Sequence, residues 1–179
     1  MTEKRLFKWD IIFYFLAIPL MFLQHFLYDI TGKADLAAII GAANESIWEH
    51  MKIIFLPFLL ASVCIYFIVK PDLKRFLVAT TGGLITVIVS MITLYYTYTG
   101  IIGHHILLVD ILLSFIVLFL AFFVSYRLYT KWEKAERFFL MFAVLFLLLL
   151  AIYVLFTLFA PQLPLFLDTE TMTYGIPKP

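Results

Sequence analysis

The stretch FFLMFAVLFLLLLAIYVLFTLF, Phe138–Phe159, contains no charged residue. A helix that crosses the hydrocarbon core of a bilayer needs about 20 consecutive, mostly apolar residues. Four further apolar runs suited to such helices lie at residues 10–28, 48–69, 76–98 and 104–126. The sequence therefore predicts an all-α polytopic membrane protein with five transmembrane helices.

The composition of the chain supports the same class. Of its 179 residues 64% are hydrophobic and only 14% are charged, and the mean hydropathy is +1.04. A soluble domain of this size cannot bury so much apolar surface, so we expect one integral membrane domain over residues 1–179, with the lipid bilayer as its surroundings. The net charge of +1 predicts no nucleic-acid partner, and the single cysteine, Cys64, excludes a multi-cysteine zinc site.

Basic residues are distributed unequally between the two ends of the predicted bundle. Segments rich in lysine and arginine stay in the cytoplasm, so the N-terminus is predicted inside and the C-terminus outside, in a multi-pass protein of the cell membrane. Asp10 is predicted to cap the first helix. With this direction the outer segments carry only Lys33, Lys52 and Lys178. The inner segments carry ten basic residues: Lys4, Arg5, Lys8, Lys70, Lys74, Arg75, Arg127, Lys131, Lys134 and Arg137.

Two segments outside the five spans are unusual. Residues 31–43 are apolar but too short to cross a membrane, so they form either an interfacial helix or a re-entrant piece tucked into the bundle. The outer tail, residues 160–179, contains Asp168 and Tyr174 among several aromatic side chains. It either folds over the outer mouth as a lid, with Asp168 near the histidines, or extends along the membrane surface.

All four histidines and seven of the twelve carboxylates fall at the predicted outer end of the bundle. Imidazoles and carboxylates are costly near lipid, so a cluster of them at one depth predicts a functional site on the extracytoplasmic face. Its members are His25, Asp29, Asp35, Glu45, Glu49, His50, His104, His105, Asp110, Asp168 and Glu170.

The most distinctive part of this cluster is NESIWEH, Asn44–His50. Ser46 and Glu49 fit a capping box, and Asn44 is another candidate cap, so one interpretation is purely structural. Capping does not account equally well for Glu45 and His50. Glu45 and Glu49 are four residues apart, which predicts that they share one helical face and, with His50, ligate a metal or transfer protons.

Two further polar pairs extend the cluster. His25 and Asp29 are spaced i, i+4, which fits either a histidine held in one tautomer by a carboxylate or an ordinary hydrogen bond at a helix end. His104 and His105 open the fourth predicted helix, and Asp110 lies about 9 Å deeper. Asp110 is either hydrogen-bonded to a neighbouring helix or serves as a metal ligand, proton carrier or cation site. Adjacent histidines on a helix point in different directions, so one of the two is expected to face inward.

NESIWEH, His104–His105 with Asp110, and the closing PLFLDTETMTYGIP resemble an uncharacterised family of small bacterial five-helix membrane proteins with an N-E-S-x-W-E-H motif. The resemblance spans nearly the whole chain and implies the architecture, with no activity attached. A looser likeness is to the membrane hydrolases related to alkaline ceramidases, which hold zinc with histidines and use an aspartate and a serine. Those proteins have seven helices and a different motif order, so their zinc-binding residues do not map onto this sequence.

The leading hypothesis is an outward-facing, metal-dependent membrane enzyme that hydrolyses a lipid or lipid-linked substrate. Histidines and carboxylates suit zinc or a similar divalent ion. His25, His50 and His104 are the first choice of ligands, with His105 as a further candidate. Glu49 or Glu45 would be the general base, and Asp110 would orient a ligand or bind the ion. The remaining polar side chains expected around the site are Asp29, Asn44, Asp168 and Tyr174.

Two alternatives stay open. A proton- or cation-coupled transporter would use Asp110 as its site, and a homo-oligomer would make this more plausible for five helices. The transported ion would follow a stripe of small residues on the third helix. The alternative interpretation of this stripe is that it lets helices approach closely. A non-catalytic assembly or sensing protein would dock a partner or respond to pH through its histidines. The stripe consists of Gly82, Thr86, Ser90, Thr93 and Thr97.

Overall fold

The computed structural model describes residues 2–177, so Lys178 lies outside the described residues. Five long helices account for most of this part of the chain, and a short helix and a small two-stranded hairpin complete it. The long helices are α1 (Thr2–Ile30), α3 (Ile47–Val69), α4 (Leu73–Ile102), α5 (Leu107–Lys131) and α6 (Phe139–Leu158). Between them lie α2 (Asp35–Ile40) and a 3₁₀ turn (Ala135–Phe138). After α6 come a 3₁₀ turn (Pro164–Phe166) and the antiparallel strands β1 (Leu167–Asp168) and β2 (Thr173–Tyr174).

Each of the five long helices is apolar and long enough to cross a membrane, counting α6 together with the 3₁₀ turn before it. The prediction of an all-α chain with five such helices is confirmed, whereas the direction of insertion stays a prediction. Several boundaries differ. Because α1 begins at Thr2, Asp10 lies inside the helix, and the prediction that it caps α1 was wrong. The linker after α4 starts at Gly103, whose φ of +90° ends that helix, so His104 and His105 precede α5 instead of opening it.

The packing of the bundle is closest where α4 meets α3 and α5. A Cβ atom on Gly83 would lie 2.4 Å from Cζ of Phe58 and 3.0 Å from the Ala121 carbonyl oxygen. Hydroxyls of the small-residue stripe bond within their own helix, since Thr86 donates to the Gly82 carbonyl at 2.8 Å and Thr97 to that of Thr93 at 2.6 Å. Gly82 of this stripe packs against the Leu128 side chain of α5, whereas Thr93 and Thr97 are exposed. The interpretation of the stripe as a helix-packing surface is therefore supported at Gly82 and not along its whole length.

The short helix α2 packs against the ends of the long helices. Its last turn leaves carbonyl groups without helical partners, and side chains from three long helices satisfy them. Lys52 of α3 donates to the Ala38 carbonyl at 2.6 Å, Tyr153 of α6 to that of Ile39 at 2.9 Å, and Gln24 of α1 to that of Ile40 at 3.2 Å. The chain then passes so close to α1 that a Cβ on Gly41 would lie 2.4 Å from the Gln24 carbonyl oxygen.

A buried ion pair joins this segment to α3. The Nζ atom of Lys52 lies 2.8 Å from Oε2 of Glu49, and the two residues are only 1% and 3% exposed. The same Glu49 oxygen accepts a hydrogen bond of 2.7 Å from the backbone N–H of Ala43. Lys52, one of the three basic residues assigned to the outer segments, is buried within α3, where it bonds the buried carboxylate and the C-terminal end of α2.

Removing one partner of this pair should be costly. We expect Lys52→Met to lower the free energy of unfolding by about 3–5 kcal/mol, because Glu49 would remain buried without its counter-charge. The double variant Glu49→Gln, Lys52→Met should recover much of that loss. Unfolding of purified protein in mixed micelles, titrated with sodium dodecyl sulfate, measures both. Lys33→Met, at an exposed lysine, is the control, and a Lys52→Met variant as stable as the wild type would contradict the assignment.

The contact at Gly83 yields a second prediction. Gly83→Ala should destabilise the bundle by about 1–3 kcal/mol, because Phe58 is fully buried and has no room to move away from an added methyl group. The same titration measures the loss. Gly100→Ala on the same helix meets no atom within 4 Å and should change stability much less. Equal effects of the two substitutions would show that α4 does not pack as described.

Candidate functional site

The NESIWEH stretch forms the N-terminus of α3. Ser46 is the N-cap residue, and its hydroxyl accepts a hydrogen bond of 3.4 Å from the Glu49 N–H. Asn44 pins the loop before it, because its side chain accepts from the Ser46 N–H at 2.8 Å and donates to the Gly175 carbonyl at 2.8 Å. Since the helix begins at Ile47, Glu45 lies ahead of it. The prediction that Glu45 and Glu49 share one helical face was therefore wrong.

The two glutamates have separate surroundings. Glu49 is buried against Lys52 and the Ala43 N–H, so it reaches back three residues beyond the Ser46 N–H that a capping box would use. A carboxylate so deeply buried requires a charged partner, which Lys52 supplies. Glu49 therefore does not face the histidines, although its proposed role as general base requires this. Glu45 is the glutamate that faces them.

The closest grouping of candidate ligands combines α1, the loop before α3, and α3 itself. Nε2 of His25 lies 3.9 Å from Oε1 of Glu45, and Nε2 of His50 lies 3.6 Å from Oε2 of the same carboxylate. One ligand atom from each of the three residues lies within 4.8 Å of the other two. We call His25, Glu45 and His50 the triad. Their side chains are 25%, 42% and 23% exposed, so the group is partly shielded yet accessible.

Hydrogen bonding assigns the tautomer of His50. Its Nδ1 atom lies 2.9 Å from the Ser46 carbonyl oxygen, which can only accept, so Nδ1 carries a proton. In the neutral ring Nε2 then presents a lone pair toward the Glu45 carboxylate. Two acceptors facing each other at 3.6 Å suit a hydrogen-bond donor or a cation between them, which is a proton on Nε2, a bridging water or a metal ion. Nδ1 of His25 is buried and has no hydrogen-bond partner among the described residues.

The predicted pair of His25 with Asp29 is absent from this arrangement. Asp29 is exposed, whereas His25 is turned toward α3, with its ring centroid 5.5 Å from that of His50. Although an i, i+4 spacing allows contact along α1, the two side chains face different surroundings. Proposing that Asp29 orients His25 was therefore wrong for this structure.

The linker between α4 and α5 supplies a second polar group. His105 Nδ1 lies 3.3 Å from Oδ2 of Asp110, and the Tyr98 hydroxyl donates to the other carboxylate oxygen. Asp110 is thus hydrogen-bonded to a neighbouring helix, as one interpretation predicted. His104 is exposed, and its side chain has no ion pair or hydrogen bond to the described residues. As a triad ligand it was the wrong choice, because the left-handed turn at Gly103 ends α4 and leaves His104 in an exposed linker.

Two adjoining cavities connect the triad to this second group. The larger, of about 230 Å³, is bounded by His25, His50 and Asp110 together with apolar side chains of α1, α3 and α5. The smaller, of about 70 Å³, is bounded by Glu45, His50, His105 and Asp110. His50 and Asp110 border both cavities. Imidazoles and carboxylates from α1, α3, α5 and two linkers therefore converge on one region, while His104 and Asp29 do not belong to it.

The tail covers one side of this region. Phe166 is 2% exposed and packs its ring 5.1 Å from that of Trp48, which anchors the hairpin formed by β1 and β2. Thr169 and Glu170, in the turn of that hairpin, border the smaller cavity. The prediction that the tail folds over the outer mouth agrees with these contacts.

The two tail residues singled out from the sequence have other roles. Asp168 accepts hydrogen bonds from the Glu170 N–H at 2.9 Å and the Thr171 hydroxyl at 2.7 Å, so it holds the turn and was wrongly expected beside the histidines. Tyr174 pairs with Leu167 and borders a different cavity, of about 780 Å³, that also includes Tyr28 and Lys33.

Two residues near the site, Lys52 and Tyr98, went unrecognised in the sequence. Lys52 follows Glu49 by three residues, so an i, i+3 ion pair was a readable signal. The capping function of Ser46 likewise implied that Glu45 precedes the helix. No sequence signal indicated the bond of Tyr98 to Asp110 or the position of Glu170, because both depend on how separate segments fold over one another.

Comparison with known proteins identifies the family of this chain but no activity. No curated protein and no solved structure matches the chain. A model described as a family of unknown function, DUF6512, matches residues 1–176, which is nearly the entire sequence. The chain therefore belongs to the family DUF6512.

Proposed function

We propose that this protein is an outward-facing, metal-dependent membrane enzyme that hydrolyses a lipid or lipid-linked substrate. The observation that carries the proposal is the triad, in which two imidazole nitrogens from different helices flank one carboxylate. The direction rests on the unequal distribution of lysine and arginine, which favours an extracytoplasmic site in the cell membrane. A divalent ion such as zinc is the expected cofactor.

The spacing of the triad suits a single ion. Zinc lies about 2.0–2.2 Å from nitrogen and oxygen ligands, so ligands in a tetrahedral site are on the order of 3.4 Å apart. The imidazole nitrogens lie 3.6 and 3.9 Å from different oxygens of Glu45, and one ligand atom from each residue lies within 4.8 Å of the other two, so side-chain movements on the order of 1 Å would reach that geometry. Three protein ligands leave a fourth position open, which is the arrangement of catalytic rather than structural zinc sites. A metal there supplies a Lewis acid and activates water.

Because the proposal uses Glu45 as a metal ligand, another group must transfer protons. His105 is the strongest candidate, because it borders the smaller cavity together with Glu45 and His50. Its side chain is 49% exposed, so it can exchange protons with solvent. Asp110 orients the imidazole through Nδ1, and Tyr98 in turn holds Asp110, so the three form a base with its positioning groups.

The surroundings of the triad favour an amphipathic substrate. Six of the ten residues around the larger cavity are apolar, and the imidazoles of His25 and His50 border the same space. A substrate with a hydrocarbon chain could place that chain among the apolar side chains while its polar group reaches the triad. A small polar metabolite would make no favourable contacts with these apolar side chains.

Elemental analysis tests the proposal directly. Protein purified without chelators and without an affinity histidine tag should contain about one divalent metal ion per chain, as three protein ligands around one ion imply. His25→Ala, His50→Ala and Glu45→Gln should each lose most of the metal, together with any hydrolysis of membrane lipid extracts. His104→Ala is the matched control and should retain both. Metal-free wild-type protein, or metal retained in all three triad variants, would overturn the proposal.

A further inference from the structure

The larger cavity allows the substrate class to be narrowed, an inference that rests on the proposed function. We propose that the substrate is a single-chain amphiphile with an uncharged headgroup, such as a monoacyl ester or amide. Its chain lies between α1 and α5 and its headgroup faces the triad. Three properties of the two cavities support this assignment: where the larger one opens, how much it holds, and which charges surround both.

The larger cavity opens on the side of the bundle where α1 and α5 face the hydrocarbon region. Phe22 and Phe26 of α1 and Leu107 of α5 border it and are 44%, 53% and 70% exposed. Exposed apolar side chains within membrane-spanning helices are in contact with lipid chains. A chain already in the bilayer can therefore move sideways into the cavity and bring its polar end to His25 and His50 without crossing water.

The capacity of the cavity limits the chain. Below it, the Tyr14 hydroxyl donates to the Phe115 carbonyl at 3.4 Å, and the rings of Phe22 and Phe115 are 6.1 Å apart. These contacts join α1 to α5 and close the space toward the middle of the bundle. A volume of about 230 Å³ holds roughly eight groups the size of a water molecule or a methylene. This is enough for the part of one chain next to its headgroup, whereas two chains side by side would each have space for only about four such groups.

The charged side chains around both cavities disfavour a substrate with a phosphate headgroup. Among residues 2–177, neither cavity is bordered by a lysine or an arginine, the side chains that usually bind phosphate groups. Lys52 is buried and engaged by Glu49 and the Ala38 carbonyl. Glu45, Asp110 and Glu170 contribute carboxylates instead, and these would repel an anionic headgroup. The proposed metal ion would repel a cationic headgroup and would attract an anionic one. With no lysine or arginine to bind the other phosphate oxygens, and with the carboxylates of Asp110 and Glu170 beside them, an uncharged headgroup is favoured.

Photolabelling in lipid nanodiscs tests the assignment. The probe is a monoacylglycerol that carries a diazirine on its chain near the ester, and labelled residues are identified by mass spectrometry. We expect the label on α1 and α5 residues that border the larger cavity. Unlabelled monoacylglycerol should compete, whereas lysophosphatidic acid, which has the same chain with a phosphate, and diacylglycerol should compete at least about tenfold less well, a difference of about 1.4 kcal/mol.

A matched pair of substitutions on α5 provides the control. Ile111 borders the cavity, whereas Ile116 on the same helix is 51% exposed and borders none of the cavities described. Ile111→Trp fills the space and should reduce labelling by about tenfold, while Ile116→Trp should leave it unchanged. Leu107→Trp, at the exposed rim, should give the same loss with less risk to folding, and the metal content of each variant reports whether the triad is intact.

The outcomes separate this inference from the proposed function. Label spread evenly over the lipid-facing helices, equal labelling of Ile111→Trp and Ile116→Trp proteins that both retain metal, or stronger competition by lysophosphatidic acid would overturn the inference. Localised labelling in a protein that binds no metal would support the chain site and overturn the metal-dependent function. Localised labelling with one metal per chain supports both.

Discussion

The arrangement of the outer end of the bundle depends on the buried contact between Glu49 and Lys52. Together these side chains hold the end of α2, the Ala43 N–H and the first turns of α3 in one position. Buried ion pairs contribute little net stability, because desolvating two charges offsets most of their attraction. In some proteins such a pair selects one arrangement among several. Here its bonds to the Ala43 N–H and the Ala38 carbonyl hold the loop that leads to Glu45.

The same contact solves a problem that a bilayer imposes on irregular backbone. An unsatisfied carbonyl in an apolar environment costs several kcal/mol, so a helix of six residues cannot end there without partners. Lys52, Tyr153 and Gln24 each contribute a donor from a different long helix. Satisfying these carbonyls ties α1, α3 and α6 to the short helix, so the requirement for hydrogen bonding also fixes where His25 and His50 lie relative to Glu45.

Each of three segments contributes one residue of the triad, and no segment forms the site alone. One histidine comes from α1, another from the first turn of α3, and the carboxylate between them from a capped loop. The proposed metal binding depends on the His50 lone pair facing Glu45, which follows from the hydrogen bond of His50 to the Ser46 carbonyl. An N-cap residue thereby serves the fold and the site together, since it starts the helix and orients an imidazole with the same backbone.

Hydrophobic runs longer than a bilayer is thick determined the five long helices from the sequence alone, because each run must bury its backbone polar groups in its own hydrogen bonds. Local sequence patterns also predicted the capping by Ser46 and the concentration of histidines and carboxylates at one end of the bundle. Which members of that set meet was decided by tertiary structure. His104 and Asp29 are of the same residue types as the triad and belong to the same predicted end of the bundle. The left-handed Gly103 nevertheless leaves His104 in an exposed linker, and Asp29 is exposed on α1. Spacing along one helix describes only that helix, whereas the triad and the anchoring of Asp110 by Tyr98 depend on contacts between segments distant in the chain.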